Sequence, residues 1–364
     1  MKVKNSIPIF LASNDKYAPF VATTIASVCY NTKSFCEFYI LDSGISNLNK
    51  RRIELLKDKF NNFSIEYLYI DLSKFNNFQL LSHISLDTYS RFLIPLLKPE
   101  LDKVIYLDVD IAVLGDIKEL YDVDLKDHFL GAAPEYFAID CQMKIARNLD
   151  IKYNKNKQFF NAGVLLINSK KWREDNIIEK LFEIQKKYND KLTYGDQDIL
   201  TKQFYEDYIE LDFRFNLLGG QLVYKKDFSK EVEDKVNRAI ENPVIRHFET
   251  PNKPWLTNKN FYGGFLQNFE DFWFFAEMTN FYENIKLGYI NNLIPKRTYI
   301  ENIEMKLFDR IPFLKIININ INTNTYYKLF KLFGFIPLLK IKNSHNKTCY
   351  KLFNFIPLLK IKMI

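Results

Sequence analysis

The run Val104-Ile-Tyr-Leu-Asp-Val-Asp110 constrains this chain more than any other stretch. Four mostly apolar residues end abruptly in two carboxylates separated by one residue. So apolar a strand sits inside a sheet, and the carboxyl end of such a strand is where an open α/β fold binds ligands. Asp108 and Asp110 cannot both stay ionised there without a counter-charge. A hard divalent cation bridging to phosphate oxygens supplies one, since oxygen ligands suit Mg²⁺ or Mn²⁺. A lone Asp-x-Asp is more often a strand-end turn, so the weight falls on what accompanies it.

The first half alternates short apolar runs with helical patterns. Ile7–Ala12, Glu37–Leu41, Ser64–Ile70 and Val104–Leu107 read as strands, with helices over Phe20–Tyr30 and Asn47–Phe60, the second opened by Asn47. A further strand at Gly163–Asn168 follows Phe159-Phe-Asn-Ala-Gly163. Strand and helix in alternation imply a parallel, doubly wound sheet covered on both faces. No Gly-x-Gly-x-x-Gly follows the first strand and no Walker-type Gly-Lys-Ser/Thr occurs, which argues against a dinucleotide site or a P-loop.

At 364 residues and 47% hydrophobic composition, the chain has material for one large α/β domain with an appendage, or for two domains. No stretch approaches the ~18 consecutive apolar residues that span a bilayer. The basic N-terminus carries only a short apolar run with no small-residue cleavage site after it, so no signal peptide and a cytoplasmic address are expected. Cys29, Cys36, Cys141 and Cys349 form no Cys-x-x-Cys pair and read as reduced thiols.

The formal charge of +7 is uneven: residues 305–364 hold eleven Lys or Arg and one acid, Asp309, giving +10 there and −3 elsewhere. The same stretch repeats. Lys306-Leu-Phe-Asp-Arg-Ile-Pro-Phe-Leu-Lys-Ile316 recurs at Lys331–Ile341 and at Lys351–Ile361. Each copy reads as a short amphipathic helical unit that its central proline limits to about two turns. Bulky apolar residues flanked by lysines suit an anionic membrane surface, at roughly 1 kcal/mol per basic residue. The alternative is repeats that pack on the body or on each other.

Four other segments carry polar chemistry. Ala12-Ser-Asn-Asp-Lys-Tyr17 follows the first strand, where a base and ribose sit in a doubly wound sheet; alone it is an Asn/Asp turn. Thr88-Tyr-Ser-Arg-Phe92 reads as helical, with Arg91 placed to balance the acids or contact a phosphate or sugar; alone, such an arginine is a surface ion pair. Asn161-Ala-Gly163 and Tyr194-Gly-Asp-Gln-Asp198 offer the side chains that hold sugar hydroxyls. Arg246-His-Phe-Glu-Thr-Pro-Asn-Lys-Pro-Trp255 sets His247 and Lys253 in a proline-stiffened loop, where the imidazole can complete a metal site.

In this order the six motifs resemble the retaining glycosyltransferases related to glycogenin and to bacterial lipopolysaccharide galactosyl- and glucosyltransferases, glycosyltransferase family 8. The likeness covers roughly residues 5–275. It implies a GT-A-like doubly wound mixed sheet, a Rossmann-like nucleotide-sugar domain over residues 1–275, followed by a helical, basic and aromatic repeat region over 276–364. By the resemblance, Asp108, Asp110 and His247 hold Mn²⁺ (or Mg²⁺), and Ala12, Asn14, Asp15, Tyr17 and Val109 line the nucleotide. Arg91, Asn161, Asp196 and Gln197 hold the donor sugar, with Arg91, Asp196 and Gln197 as its catalytic set, and Lys253 faces the diphosphate. Two departures stand out: Thr250, where relatives often have Gly, and Asn14 with Lys16 in the nucleotide turn.

The reaction expected is transfer of a hexose from a UDP-sugar to a lipid-linked oligosaccharide at the inner face of the membrane, with no nucleic-acid partner. A protein or soluble glycan acceptor is the nearest competitor. A sugar nucleotidyltransferase would want a Gly-rich basic loop after the first strand, and a non-catalytic nucleotide-sugar-binding protein would tolerate loss of a metal ligand. The hexose, the linkage and the oligomeric state are not legible in the sequence.

Overall fold

The structure, a computed structural model, describes residues 6–76, 78, 86–135, 139–154, 157–219, 221, 229–249, 253–257, 269–293, 299–307, 311–322, 325–332, 336–344 and 347–352, as backbone alone from 299 onward. Two compact units divide the chain, residues 1–289 and 290–364.

The first unit is built on a seven-stranded mixed sheet in the order β3-β2-β1-β4-β7-β6-β8. Its strands are β1 (Ile7–Ser13), β2 (Cys36–Asp42), β3 (Phe63–Tyr69), β4 (Lys103–Leu107), β6 (Leu130–Glu135), β7 (Phe159–Asn168) and β8 (Ile209–Glu210). β1 pairs parallel with β2 and β4, and β2 with β3, whereas β7 runs antiparallel to both β4 and β6. The strand that sequence places at 163–168 therefore begins at Phe159, and the Asn-Ala-Gly motif lies inside it.

Unbroken apolar runs are explained by burial on both faces. Along each central strand the side chains alternate between two cores. Ile9, Leu11, Phe38, Ile40, Ile105, Leu107, Val164 and Leu166 enter one. Phe10, Tyr39, Leu41, Val104, Tyr106, Leu165 and Ile167 enter the other. Truncating any one of these to Ala would cost about 2–5 kcal/mol. The helix expected to open at Asn47 does so with Ser46 as its cap, its hydroxyl accepting from Asn49 N–H, and tightens into a 3₁₀ turn at Leu55–Asp58. Thr88–Phe92, expected as helical, lies in a helix of the 3₁₀ kind, Leu86–Leu93.

The unit boundary lies past the expected break at 275/276. Helix Phe269–Ala276 and the start of helix Tyr282–Leu293 belong to the first unit because Phe272, Phe275, Phe281 and Ile285 fill its core.

Among the described residues from Tyr299 onward the repeat region is strand, not helix. It is a five-stranded antiparallel meander of β10 (Tyr299–Leu307), β11 (Ile311–Asn322), β12 (Thr325–Leu332), β13 (Ile336–Ser344) and β14 (Lys347–Leu352). The first two repeats each span the end of one strand and the start of the next: Lys-Leu ends β10 and β12, and Ile-Pro starts β11 and β13. The third copy's residues beyond Leu352 lie outside the described residues, as does Thr250. Pro312 and Pro337 sit second in their strands, beside register shifts, where a missing N–H disturbs the ladder least. Ile317-Asn-Ile-Asn-Ile-Asn322 alternates strictly, a strand period that outweighs the helical reading. The register sets Lys315 opposite Lys331 and Lys340 opposite Lys351. Lys342 and Lys347 share that face with Ile317, Tyr327 and Leu329, whereas Ile316, Phe330, Leu339, Ile341 and Tyr350 occupy the other together with Lys328.

Candidate active site

The site is assembled where β4 runs out. Asp108 N–H still donates to Gly163 O of β7, at 2.7 Å, and the chain then turns into β5 (Ile111–Val113). β5 pairs antiparallel with β9 (Ile245–His247), setting Ile111 opposite His247. This ribbon carries the histidine to the carboxylates. His247 Nε2 lies 3.2 Å from Asp110 Oδ1 and 4.0 Å from Asp108 Oδ2. One ligand atom from each residue lies within 4.8 Å of the others.

Each group arrives with a ligand atom oriented inward. Arg91 Nη2 and the Tyr106 hydroxyl both donate to Asp108 Oδ1 at 2.9 Å, which leaves Oδ2 toward His247. Lys253 Nζ pairs with Asp110 Oδ2 and donates to Phe248 O at 2.6 Å. Two carboxylate oxygens and an imidazole nitrogen fit a divalent cation such as Mn²⁺ or Mg²⁺. Burial works against the Asp110 carboxylate, but the positive charges of Lys253 and His247 outweigh it and hold its pKa well below the usual range. Burial also opposes the His247 imidazolium, and the Asp110 charge overcomes it and raises that pKa. Gly163 is required here. A Cβ on it would come within 2.8 Å of Asp108 Oδ2 and press on the His247 ring.

Arg91 is buried, 2% exposed, with its guanidinium over the Tyr106 ring. Its Nε lies 3.1 Å from Asp196 Oδ2, and Nη1 donates to Ala162 O. Burial disfavours the guanidinium, yet Asp196, Tyr106 and Asp108 together raise its pKa, so it stays charged. The residue expected to touch a sugar or phosphate thus joins the two acidic positions internally. Burial raises the pKa of Asp196, and pushes Asp198, whose carboxylate accepts from Thr193 and Tyr194 N–H, to about 6.

Beyond Asp196 the site turns neutral. Gln197 Oε1 accepts from Ala162 N–H at 3.0 Å, and its Nε2 donates to Glu135 Oε2 at 2.9 Å. Asn161 Nδ2 donates to the same oxygen at 3.0 Å. Burial lifts the Glu135 carboxyl to about 7. Sequence reasoning passed over Glu135, although Leu130-Gly-Ala-Ala-Pro-Glu135 carries the same signal as Asp108, an apolar strand closed by an acid.

Residues 8–259 match the family described as glycosyl transferase family 8, and the motifs above all fall inside that span. The chain belongs to glycosyl transferase family 8. It is 32% identical over 259 residues to a putative glycosyltransferase of Haemophilus influenzae, covering 68% of this chain and 72% of the relative. Glycosyltransferase GlyF of Streptococcus pneumoniae is 32% identical over 254 residues, covering 68% of this chain but only 57% of GlyF. Among solved structures, galactosyltransferase LgtC, determined with donor and acceptor sugar analogues, superposes with a TM-score of 0.66 at 29% identity, covering 75% of this chain and 96% of LgtC. The mixed sheet is thus the GT-A architecture, and the protein is a glycosyltransferase whose Asp108, Asp110 and His247 form a candidate metal site.

In this family-8 glycosyltransferase the turn expected to line the nucleotide lies at the end of β1, beside β4. Ala12 is the last residue but one of the strand, and Asn14 caps the 3₁₀ turn Asp15–Tyr17. Asn14 Nδ2 donates to Asp87 at 2.7 Å. Asp15 is bound elsewhere: its Oδ1 accepts from Ser46 N–H and Asn49 Nδ2, each at 2.8 Å, and these bonds lower its pKa. Tyr17 meets Phe20 edge-on, and Phe20 stacks on Trp255 at 3.8 Å, so the loop bearing Lys253 packs beside the turn. Val109 is buried and its carbonyl accepts from Thr24 Oγ1 at 3.2 Å.

Proposed function

We propose that this glycosyltransferase moves a hexose, galactose or glucose, from a UDP-sugar with retention of configuration, using Mn²⁺ or Mg²⁺, to an oligosaccharide acceptor of lipopolysaccharide or lipooligosaccharide type. The observation that carries the reading is the convergence of Asp108 Oδ2, Asp110 Oδ1 and His247 Nε2. A cation bound there supplies charge stabilisation to a leaving diphosphate. Lys253, on the adjoining loop, adds a second positive charge for the same phosphates. Asn161, Asp196 and Gln197 hold donor hydroxyls and exclude water. Retention is read as front-face departure, in which the leaving phosphate helps take the acceptor's proton. Gln197 is an amide and a feeble nucleophile.

LgtC, a galactosyltransferase, supports a hexose donor. A lipid-linked acceptor, with the protein on the cytoplasmic face of the membrane, draws support from the repeat sheet. Lys340 set opposite Lys351 repels it unless an anionic surface compensates the pair, whereas Lys315, opposite Lys331, also has Glu304 as a neighbour. A protein or soluble glycan acceptor is the second reading.

The test is UDP release from a panel of UDP-sugars with and without Mn²⁺, with no acceptor added. One sugar should be hydrolysed in a metal-dependent way, and metal-independent release would refute the assignment. For the acceptor, full-length protein and a chain ending at Leu293 are sedimented with anionic vesicles. Loss of binding in the shorter form with donor hydrolysis retained is expected, whereas equal sedimentation would give the repeats to packing.

A further inference from the structure

His247 can ligate a cation through Nε2 only if its Nδ1 carries the ring proton, and the fold contains a device that dictates this. It starts at two backbone amides of β7, which can only donate. Gly163 N–H donates to Asn161 Oδ1 at 2.9 Å, so the Asn161 oxygen must face that way. The same oxygen accepts from Asn216 Nδ2 at 2.9 Å. Asn216 has therefore committed its donor, and its Oδ1, 3.1 Å from His247 Nδ1, must accept. The imidazole is left with Nδ1–H toward Asn216, so Nε2, 3.2 Å from Asp110 Oδ1, is the nitrogen that gives up its proton when a cation binds. On the other side Ala162 N–H fixes Gln197 Oε1, so the amides of Gln197 and Asn161 both donate to Glu135. Carboxamide orientation and histidine tautomer are usually matters of inference, but here a backbone donor leaves one arrangement.

We propose that Asn216 is a positioning residue for the metal centre, setting the His247 tautomer and transmitting it from the Asn161 amide on the sugar side. It is fully buried, one residue before Leu217, which bridges to Arg246. This rests on the metal reading given above. Partners of this kind typically alter metal affinity about 10- to 100-fold.

The experiment titrates Mn²⁺ into the UDP-bound protein by electron paramagnetic resonance, comparing wild type, Asn216→Ala, Asn216→Asp and Asp110→Asn. Asn216→Ala should weaken Mn²⁺ binding about 10- to 100-fold and recover activity in part at high metal. Asn216→Asp keeps an acceptor for Nδ1–H but opposes Asn161 Oδ1 with a second acceptor. It should hold metal within about 3-fold of wild type yet lose kcat, a split that a merely structural role would not produce. Should the variants fail to fold, ¹⁵N resonances of the His247 ring in Mg²⁺- and UDP-loaded wild type decide: a protonated Nδ1 and bare Nε2 are expected, and the reverse overturns the proposal. An Asn216→Ala titration that overlays wild type while Asp110→Asn loses Mn²⁺ overturns the role of Asn216 alone. If Asp110→Asn binds Mn²⁺ as wild type does, the metal reading falls and takes this inference with it.

Discussion

The side of the site proposed to hold the cation is held together by charges and the side proposed to hold the sugar by carboxamides, and the two behave differently. Asp108, Asp110, Arg91 and Lys253 attract without strong direction, so Lys253 can stand on Asp110 and yield to another cation. Asn161, Asn216 and Gln197 each present a donor at one end and an acceptor at the other, aligned by Ala162 and Gly163 N–H. The first arrangement tolerates exchange of partners on binding; the second is preorganised and pays no reorganisation during reaction. Gly163 stands between them.

The comparison is broken most severely from the charged side. Asp110→Ala should lower turnover about 10²–10³-fold or more, because it removes a ligand and leaves Lys253 and His247 without their carboxylate. Circular dichroism should show an intact fold. Wild-type turnover in a preparation free of native enzyme would end the metal assignment. Gly163→Ala strikes both sides, since the added methyl meets Asp108 and His247 together. Turnover should fall about 10²-fold through misplacement, with weaker Mn²⁺ binding alongside. Normal metal binding in that variant would mean that the two sides are less tightly joined than their geometry implies. Gln197→Ala should touch the amide side alone: kcat drops about 10-fold while the metal titration is unchanged. A shifted metal titration would show that the sides are one unit.

How far the sequence revealed this differs between the two sides as well. Asp108, Asp110 and His247 were legible because an apolar strand ending in acids and a lone loop histidine are local patterns, reinforced by the order of the other motifs. The amide network was not. Asn216 follows Phe213-Arg-Phe215 with no local signature, and its role arises from where β9 is carried against β7. Arg91 was visible as a charge, but its use in joining Asp108 to Asp196 depends on tertiary contacts. The parallel half of the sheet followed from strand and helix alternation, whereas the reversal of β7 has no sequence mark. In the repeats, bulky apolar residues flanked by lysines suggested short amphipathic helices, and the shorter Lys-Ile-Lys and Ile-Asn alternations, which set the strand period, were passed over.

Glu135 offers the finest test, because it ends the amide side in a charge. Its carboxyl titrates at about 7 in the fold against an ordinary 4.5, burial being the main cause. Between those values the unfolded chain has released the proton and the folded chain still holds it. The folded state therefore binds more protons there, and stability falls as pH rises through that window. The full shift corresponds to about 3 kcal/mol, and partial exposure of the residue trims this to roughly 1–2 kcal/mol. Glu135→Gln keeps an oxygen that can accept from Asn161 and Gln197 but never ionises. The variant should match wild type near pH 4.5 and exceed its unfolding free energy by roughly 1–2 kcal/mol at pH 8, measured by urea denaturation. Turnover should change little if orientation of Gln197 is all that Glu135 provides. A large loss of kcat without a change in metal affinity would show that the negative charge itself is used, and the amide side would then share the electrostatic character of the cation side.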